Sequence, residues 1–316
     1  MARSSKKTVV LVKIESEPGV EAVPDPSADA IPVLSADPTP NFDFLQNAEL
    51  SATLSQRPGI PAGGTWKIEL KTYVRGSGDK TVEPRLGRLL EACSFRKEQV
   101  DSDGDGTNDT FLYTPISDLS AQKTLTIYLY KDGELYKFVG CMGDMSLDAN
   151  VRQFPELSFT FTGKLLERAE APAPVATYEP TKPAVFYNAL CKIDNAYAPR
   201  FSKISIGLNN NVAPVDDANE PDGIWRVFIN DRKPSGSFDP MATLPSEYDF
   251  LTKFKAGEVA DLSFTVGQES GNKVEFNCRI QYSDYKLGDR ESFLTYELPF
   301  NLVSEAGDDE LTIAFK

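Results

Sequence analysis

The sequence predicts a mainly β protein of two tandem β-sandwich or barrel domains, each with one flanking α-helix and long loops. Three observations carry this. Short segments recur in the same order in both halves of the chain. Most of these segments alternate apolar and polar residues at the period of a strand. Each half also holds one short apolar stripe at helical spacing.

The recurrence comes first. Leu11-Val12-Lys13-Ile14-Glu15 matches Leu190-Cys191-Lys192-Ile193-Asp194. Glu49–Leu54 parallels Lys203–Leu208. Gly64-Thr65-Trp66-Lys67-Ile68 lines up with Gly223-Ile224-Trp225-Arg226-Val227, which pairs the two tryptophans. Each is followed by a Gly/Ser turn. Finally, Leu125–Leu129 falls on Leu262–Val266, Cys141 on Cys278, and Leu157–Phe161 on Leu294–Leu298. The offset is the same at these last three places, so no gap is needed. The matched order predicts an internal duplication. On this alignment the first half carries about 25 extra residues between Glu15 and Glu49 and about 22 between Asp79 and Leu125.

Within each half the strands read from alternation. Trp66, Ile68 and Leu70 share one face; Lys67, Glu69 and Lys71 share the other. Leu157, Phe159 and Phe161 alternate with Ser158, Thr160 and Thr162. Lys131-Asp132-Gly133-Glu134 predicts a hairpin turn. Pro84–Cys93 places Leu86, Leu89, Leu90 and Cys93 on one helical face. Pro245–Phe254 gives a second such stripe, closed by Gly257.

The predicted domains are 1–167 and 185–316. The first contains an inserted arm over 16–48 and an acidic loop over 95–115. A Pro/Ala-rich linker spans 168–184. Residues 18–40 are rich in Pro, Ala, Asp and Ser, and alone would form a mobile arm that orders against a neighbouring subunit.

Composition excludes several functions. The chain of 316 residues has 47 acidic and 33 basic residues, a net charge of −14. That argues against wrapping nucleic acid, which needs concentrated Lys and Arg. It has no histidine, which removes Ser-His-Asp and Cys-His catalysis and histidine-ligated metals. Scattered carboxylates such as Glu156 and Glu297 read as solvated strand faces, and an enzyme is the weakest reading. Cys93, Cys141, Cys191 and Cys278 form no Cys-x-x-Cys pair, so free buried thiols are expected. No apolar run approaches a membrane span. Val9–Val12 is broken by Lys13 and Glu15 too early for a signal peptide, which predicts a chain kept in a cytosol.

One loop could hold a cation. Asp101, Asp103, Asp105 and Asp109, with the Thr107 carbonyl, occupy positions 1, 3, 5, 9 and 7 of a calcium loop. Leu112 stands where the bidentate Glu of position 12 belongs. Calcium is the only cofactor the residues suggest; a solvated polar turn is the alternative.

The second half then suggests a family. Lys203–Asn211, Asp222-Gly223-Ile224-Trp225, Gly236–Pro240 and Ala306–Leu311 resemble the tail tube proteins of long-tailed, siphophage-type bacteriophages. The first half resembles them more loosely, through Gly64-Thr65-Trp66 and Gly87–Cys93. The resemblance implies a structural virion protein, assembled in the host cytoplasm. It implies self-association into stacked rings that form the tail tube, a conduit for DNA ejection. Single-domain members form hexameric rings, so a duplicated chain implies a trimer, with a hexameric ring as the alternative. Implied partners are further copies of itself, with tail terminator, tape measure and baseplate proteins. DNA would slide past an acidic inner wall without specific binding, repelled over a Debye length of about 8 Å. The loop from Arg75 to Pro84 is expected to clasp the next subunit or ring. Two rival readings remain: an extracellular calcium-dependent β-sandwich adhesin, and the tube of a contractile injection machine.

Overall fold

The computed structural model describes residues 3–4, 6–102, 104 and 106–316. The first half runs β1 (Thr8–Ile14), β2 (Ala30–Ile31), β3 (Ser35–Asn47), β4 (Arg57–Tyr73), α1 (Gly87–Glu91), β5 (Phe95–Val100), β6 (Thr110–Pro115), β7 (Leu125–Lys131), β8 (Glu134–Asn150) and β9 (Glu156–Glu170). The second runs β10 (Lys192–Ile193), β11 (Lys203–Gly207), β12 (Asn210–Asp216), β13 (Ile224–Arg232), β14 (Ser235–Phe238), α2 (Phe250–Ala256), β15 (Val259–Val266), β16 (Val274–Tyr282), β17 (Lys286–Arg290), β18 (Phe293–Leu302) and β19 (Leu311–Phe315). The protein is mainly β, as the alternation predicts, with antiparallel pairing throughout.

Two strand layers face each other in the first half. One orders its strands β3-β4-β9-β8. The other orders them β1-β7-β8-β9. The long strands β8 and β9 belong to both layers. The β8 ladder with β9 carries irregularities at Lys137/Phe138 and Val139/Met142. Bulges let one strand turn between layers. The second half orders one layer β11-β14-β18 and continues it to β17. Its other layer is β10-β15-β16-β19.

Partner residues repeat between the halves. Leu125 faces Cys141 across β7 and β8; Leu262 faces Cys278 across β15 and β16. Ile14 faces Leu125, and Ile193 faces Leu262. The turn between β7 and β8 has Asp132 and Gly133 both at positive φ, as a two-residue hairpin requires. Leu86, Leu89, Leu90 and Cys93 are all buried beside α1. Helix α2 starts later than its apolar stripe, because Asp249 caps it by accepting from the Thr252 amide at 3.0 Å. Gly257 closes it at φ 65°. All four cysteines are free and buried, and burial pushes the thiols of Cys93 and Cys141 well above their ordinary value.

The alignment fails in the hairpin arms. Glu49–Leu54 is not a strand but the exposed tip of the hairpin joining β3 to β4. The tryptophans are not equivalent either. Trp66 lies in the layer, against Phe138 at 5.9 Å between centroids. Trp225 stands near the tip of the β12–β13 ribbon and is half exposed. Register instead matches Phe238, opposite Leu298, with Ile68, opposite Phe161. Alternation identifies a strand but carries no register, which is why similar patterns aligned out of place.

The predicted arm is also different. Residues 16–34 pack on the first half rather than hanging free. The buried Glu15 carboxylate accepts from the Gly19 amide at 2.7 Å, from Gly140 at 2.9 Å and from the Thr124 and Thr126 hydroxyls. Arg88 reaches Asp29 at 2.7 Å. The rest of the arm is β3. Strand β9 continues to Glu170, and the extended stretch after it is tied down: Thr177 donates to the Pro26 carbonyl and Glu179 accepts from the Arg85 amide.

The row Pro38–Ile68–Phe161–Gly143 crosses the first layer. Gly143 makes room for the ring, since a Cβ there would sit 2.5 Å from Phe161. Phe161→Ala removes this fully buried ring and is expected to cost about 3–5 kcal/mol. The check is the urea midpoint of the full chain, which falls with little change in slope.

Candidate assembly interface

The two halves are joined strand to strand. Ser146–Asn150 of β8 pairs with β11, Lys203 opposite Asn150 and Gly207 opposite Ser146. Leu147 and Ala149 on one side, and Ile204 and Ile206 on the other, are buried along this seam. The Leu208 amide donates to the Met145 carbonyl at 3.0 Å, and Val151 to Ser202 at 2.8 Å. Seam pairing fuses the two layers into one run: β3-β4-β9-β8, then β11-β14-β18-β17.

Further contacts lock the halves together. Strand β19 pairs with β6, Phe315 opposite Phe111. Gly78 donates to the Gly271 carbonyl at 2.9 Å, and Gly76 to the Asn272 side chain at 2.9 Å. A Cβ on Gly271 would sit 2.4 Å from Gly78, so only glycine allows these backbones to touch. The loop from Arg75 to Pro84, expected to clasp a neighbour, is thus engaged with its own chain. Arg232 donates to Glu310 at 2.5 Å and to Asp308 at 2.9 Å. Asp308 also accepts from the amide of Ser117 at 2.9 Å and from its hydroxyl.

The ends of the run are open. Among the described residues β3 pairs with β4 alone, and β17 with β18 alone. Apolar side chains are exposed near both ends: Phe44 and Leu45 on β3, with Ile60 across from Leu45, and Leu287, Phe293 and Leu294 beside the other edge. Open edges and exposed apolar clusters are costs that a protein acting alone ordinarily avoids. The outward face of the run carries Lys67, Glu69, Ser158, Thr160, Asp148, Ser205, Ser237 and Glu297, that is, hydroxyls and charges of both signs.

The acidic loop joins β5 to β6, in a hairpin that the second half lacks between α2 and β15. Asp103 and Asp105 lie outside the described residues. The Asp101 carboxylate accepts from the Gly104 amide at 2.7 Å and the Gly106 amide at 2.8 Å. Thr107 is exposed. Asp109 is buried and paired with the Lys80 ammonium. Among the described residues no group of three or more acidic or thiol side chains is arranged to hold a metal ion. No helix of the described residues is long and apolar enough to cross a membrane.

Sequence reasoning expects strands of neighbouring domains to join at their sheet edges but does not locate the seam or either open edge. Nothing in Lys286–Arg290 alternates, and the two prolines of β3 disguise it. An edge strand tolerates proline on its open side, where no partner strand needs the missing N–H.

Layered β-sheets with open edges and an exposed polar face define a β-sandwich structural subunit. A family model described as phage tail tube protein matches residues 5–316. The chain belongs to that family: it is a structural component of the virion tail. No curated protein matches it.

Arg232 makes a testable lock. Burial works to raise the Asp308 pKa, but the Ser117 hydroxyl and the Arg232 guanidinium outweigh it and hold the carboxyl below its ordinary value of 3.8. A depressed folded-state pKa contributes stability that is complete above the ordinary value and lost as pH falls through the lower one. Arg232→Met leaves the buried Glu310 unpaired and is expected to cost about 3–5 kcal/mol at neutral pH. Denaturant titrations of both proteins across pH check this. The gap between them narrows as pH falls below 3.8.

Proposed function

We propose that this chain is the repeating unit of the tail tube, closing head to tail into a ring whose rings stack into a conduit for DNA. The observation that carries the reading is the eight-strand run with two unpaired ends. A heterologous contact between unlike edges closes into a ring at the right rotation, and a second, axial one repeats without closing.

The ring is read as a trimer of duplicated chains, with residues 1–167 and 185–316 as twin units joined by 168–184. The repeated partners Leu125/Cys141 and Leu262/Cys278 support the duplication. So does the shared strand order, β3-β4-β9-β8 against β11-β14-β18-β17. Three copies would supply six such four-strand units. The long β3–β4 hairpin, with Leu50 and Leu54 exposed at its tip, suits contact with the next ring. Tail terminator, tape measure and baseplate proteins would meet the tube at its ends or inside it.

The outward face of the run is assigned to the lumen. Its hydroxyls and mixed charges concentrate no cation for phosphate, the feature that double-stranded nucleic acid is bound by. DNA would therefore slide.

Negative-stain microscopy of purified protein, raised in concentration, tests the reading. Three-lobed rings or hollow tubes are expected. Particles that stay single at every concentration and in purified tails would overturn it.

A further inference from the structure

The seam inside the chain is a template for the contact between chains, and the two contacts differ at one place. Counterparts follow from register. Ile204 faces Phe238, which faces Leu298. Pro38 faces Ile68, which faces Phe161. Phe161 and Leu298 match in sequence at the same offset that pairs Cys141 with Cys278. So Pro38 and Pro40 of β3 stand where β11 has Ile204 and Ile206.

Those two positions face the seam. Leu208 donates to Met145, and Ser202 accepts from Val151, which turns the even-numbered residues of β11 toward β8. The amides of Ile204 and Ile206 therefore point at β8. Their counterparts are prolines, which have no N–H. The other edge is complete: β17 pairs with the N-terminal part of β18 as the end of β8 pairs with that of β9, Gly288 opposite Thr295 and Ser146 opposite Ser158.

We propose that Pro38 and Pro40 hold the open β3 edge below the pairing strength of the internal seam, against a second copy's β17 edge. Free chains then remain unpolymerised until other surface, the exposed apolar residues near both edges, adds to the contact. The inference rests on the ring reading. Its physical basis is the loss of two donors from a ladder, in a strand class where proline is a known guard against edge-to-edge association. The internal seam needs no such guard, because its strands are held in one chain.

The test uses the full chain. Pro38→Ile with Pro40→Ile restores the residues of the seam; Pro40→Ile alone serves if the double variant melts early. A separate Asn41→Cys, Gly288→Cys protein keeps both prolines. The register places these two residues opposite each other between chains, as Gly207 and Ser146 are within one. Sedimentation velocity and non-reducing electrophoresis are read. The proline variant is expected to assemble at a concentration roughly tenfold or more below that of the native chain, and the cysteine protein to form chain-to-chain disulfides on assembly. Equal assembly thresholds with disulfides present would overturn the guard role and leave the ring reading intact. Neither disulfides nor rings in any of the proteins would overturn both.

Discussion

The antiparallel seam between β8 and β11 is the constraint on which the structure turns. It converts two separate four-strand layers into one run and fixes their relative rotation. Because backbone ladders are directional, that rotation is specified by hydrogen bonds rather than by loosely fitting side chains. The remaining contacts between the halves support it. The glycine contact at Gly76 and Gly271, the Arg232 cluster and the β6–β19 pair all lie across the same division. A chain stiffened in this way presents its two outer edges at a set angle. The proposed ring closure requires that property, and two domains on a flexible linker would lack it.

Burial and exposure are divided in keeping with this role. The interior is filled by aromatic and branched side chains, with Phe159, Phe161, Phe264 and Phe276 fully buried. Charged groups inside are paired or caged, as Glu15 and Glu310 are. Some of the apolar residues left outside stand near the open edges and at the hairpin tip, among them Phe44, Leu45, Leu54, Leu287 and Phe293. Charge serves a quieter purpose. A net charge of −14 works against non-specific association of a chain with such edges.

Much of the fold is legible in the sequence, and the failures are physical. The β7–β8 and β15–β16 hairpins are readable because their turn and their facing residues are close in sequence, so one offset carries both strands. The stripe of Leu86, Leu89, Leu90 and Cys93 is readable because helical spacing is local. The long hairpin arms are not readable. Their strands alternate, but nothing local states which residue faces which, so Trp66 and Trp225 align without being equivalent. Strand β3 hides behind Pro38 and Pro40. In the acidic loop, the spacing of carboxylates is visible but Lys80, which pairs Asp109, comes from a distant turn. The candidate interface was the least legible part, since an open edge is defined by the partner it lacks.

Amide hydrogen exchange, compared between assembled tails and free chains, is the sharpest probe of edge-to-edge pairing between chains. The amides of Ala36 and Phe42 on β3 and of Leu287 and Asp289 on β17 are expected to exchange quickly in the free chain and become protected in the tail, while Ile204 and Ile206 are protected in both. Edges that exchange equally fast in both states would contradict it.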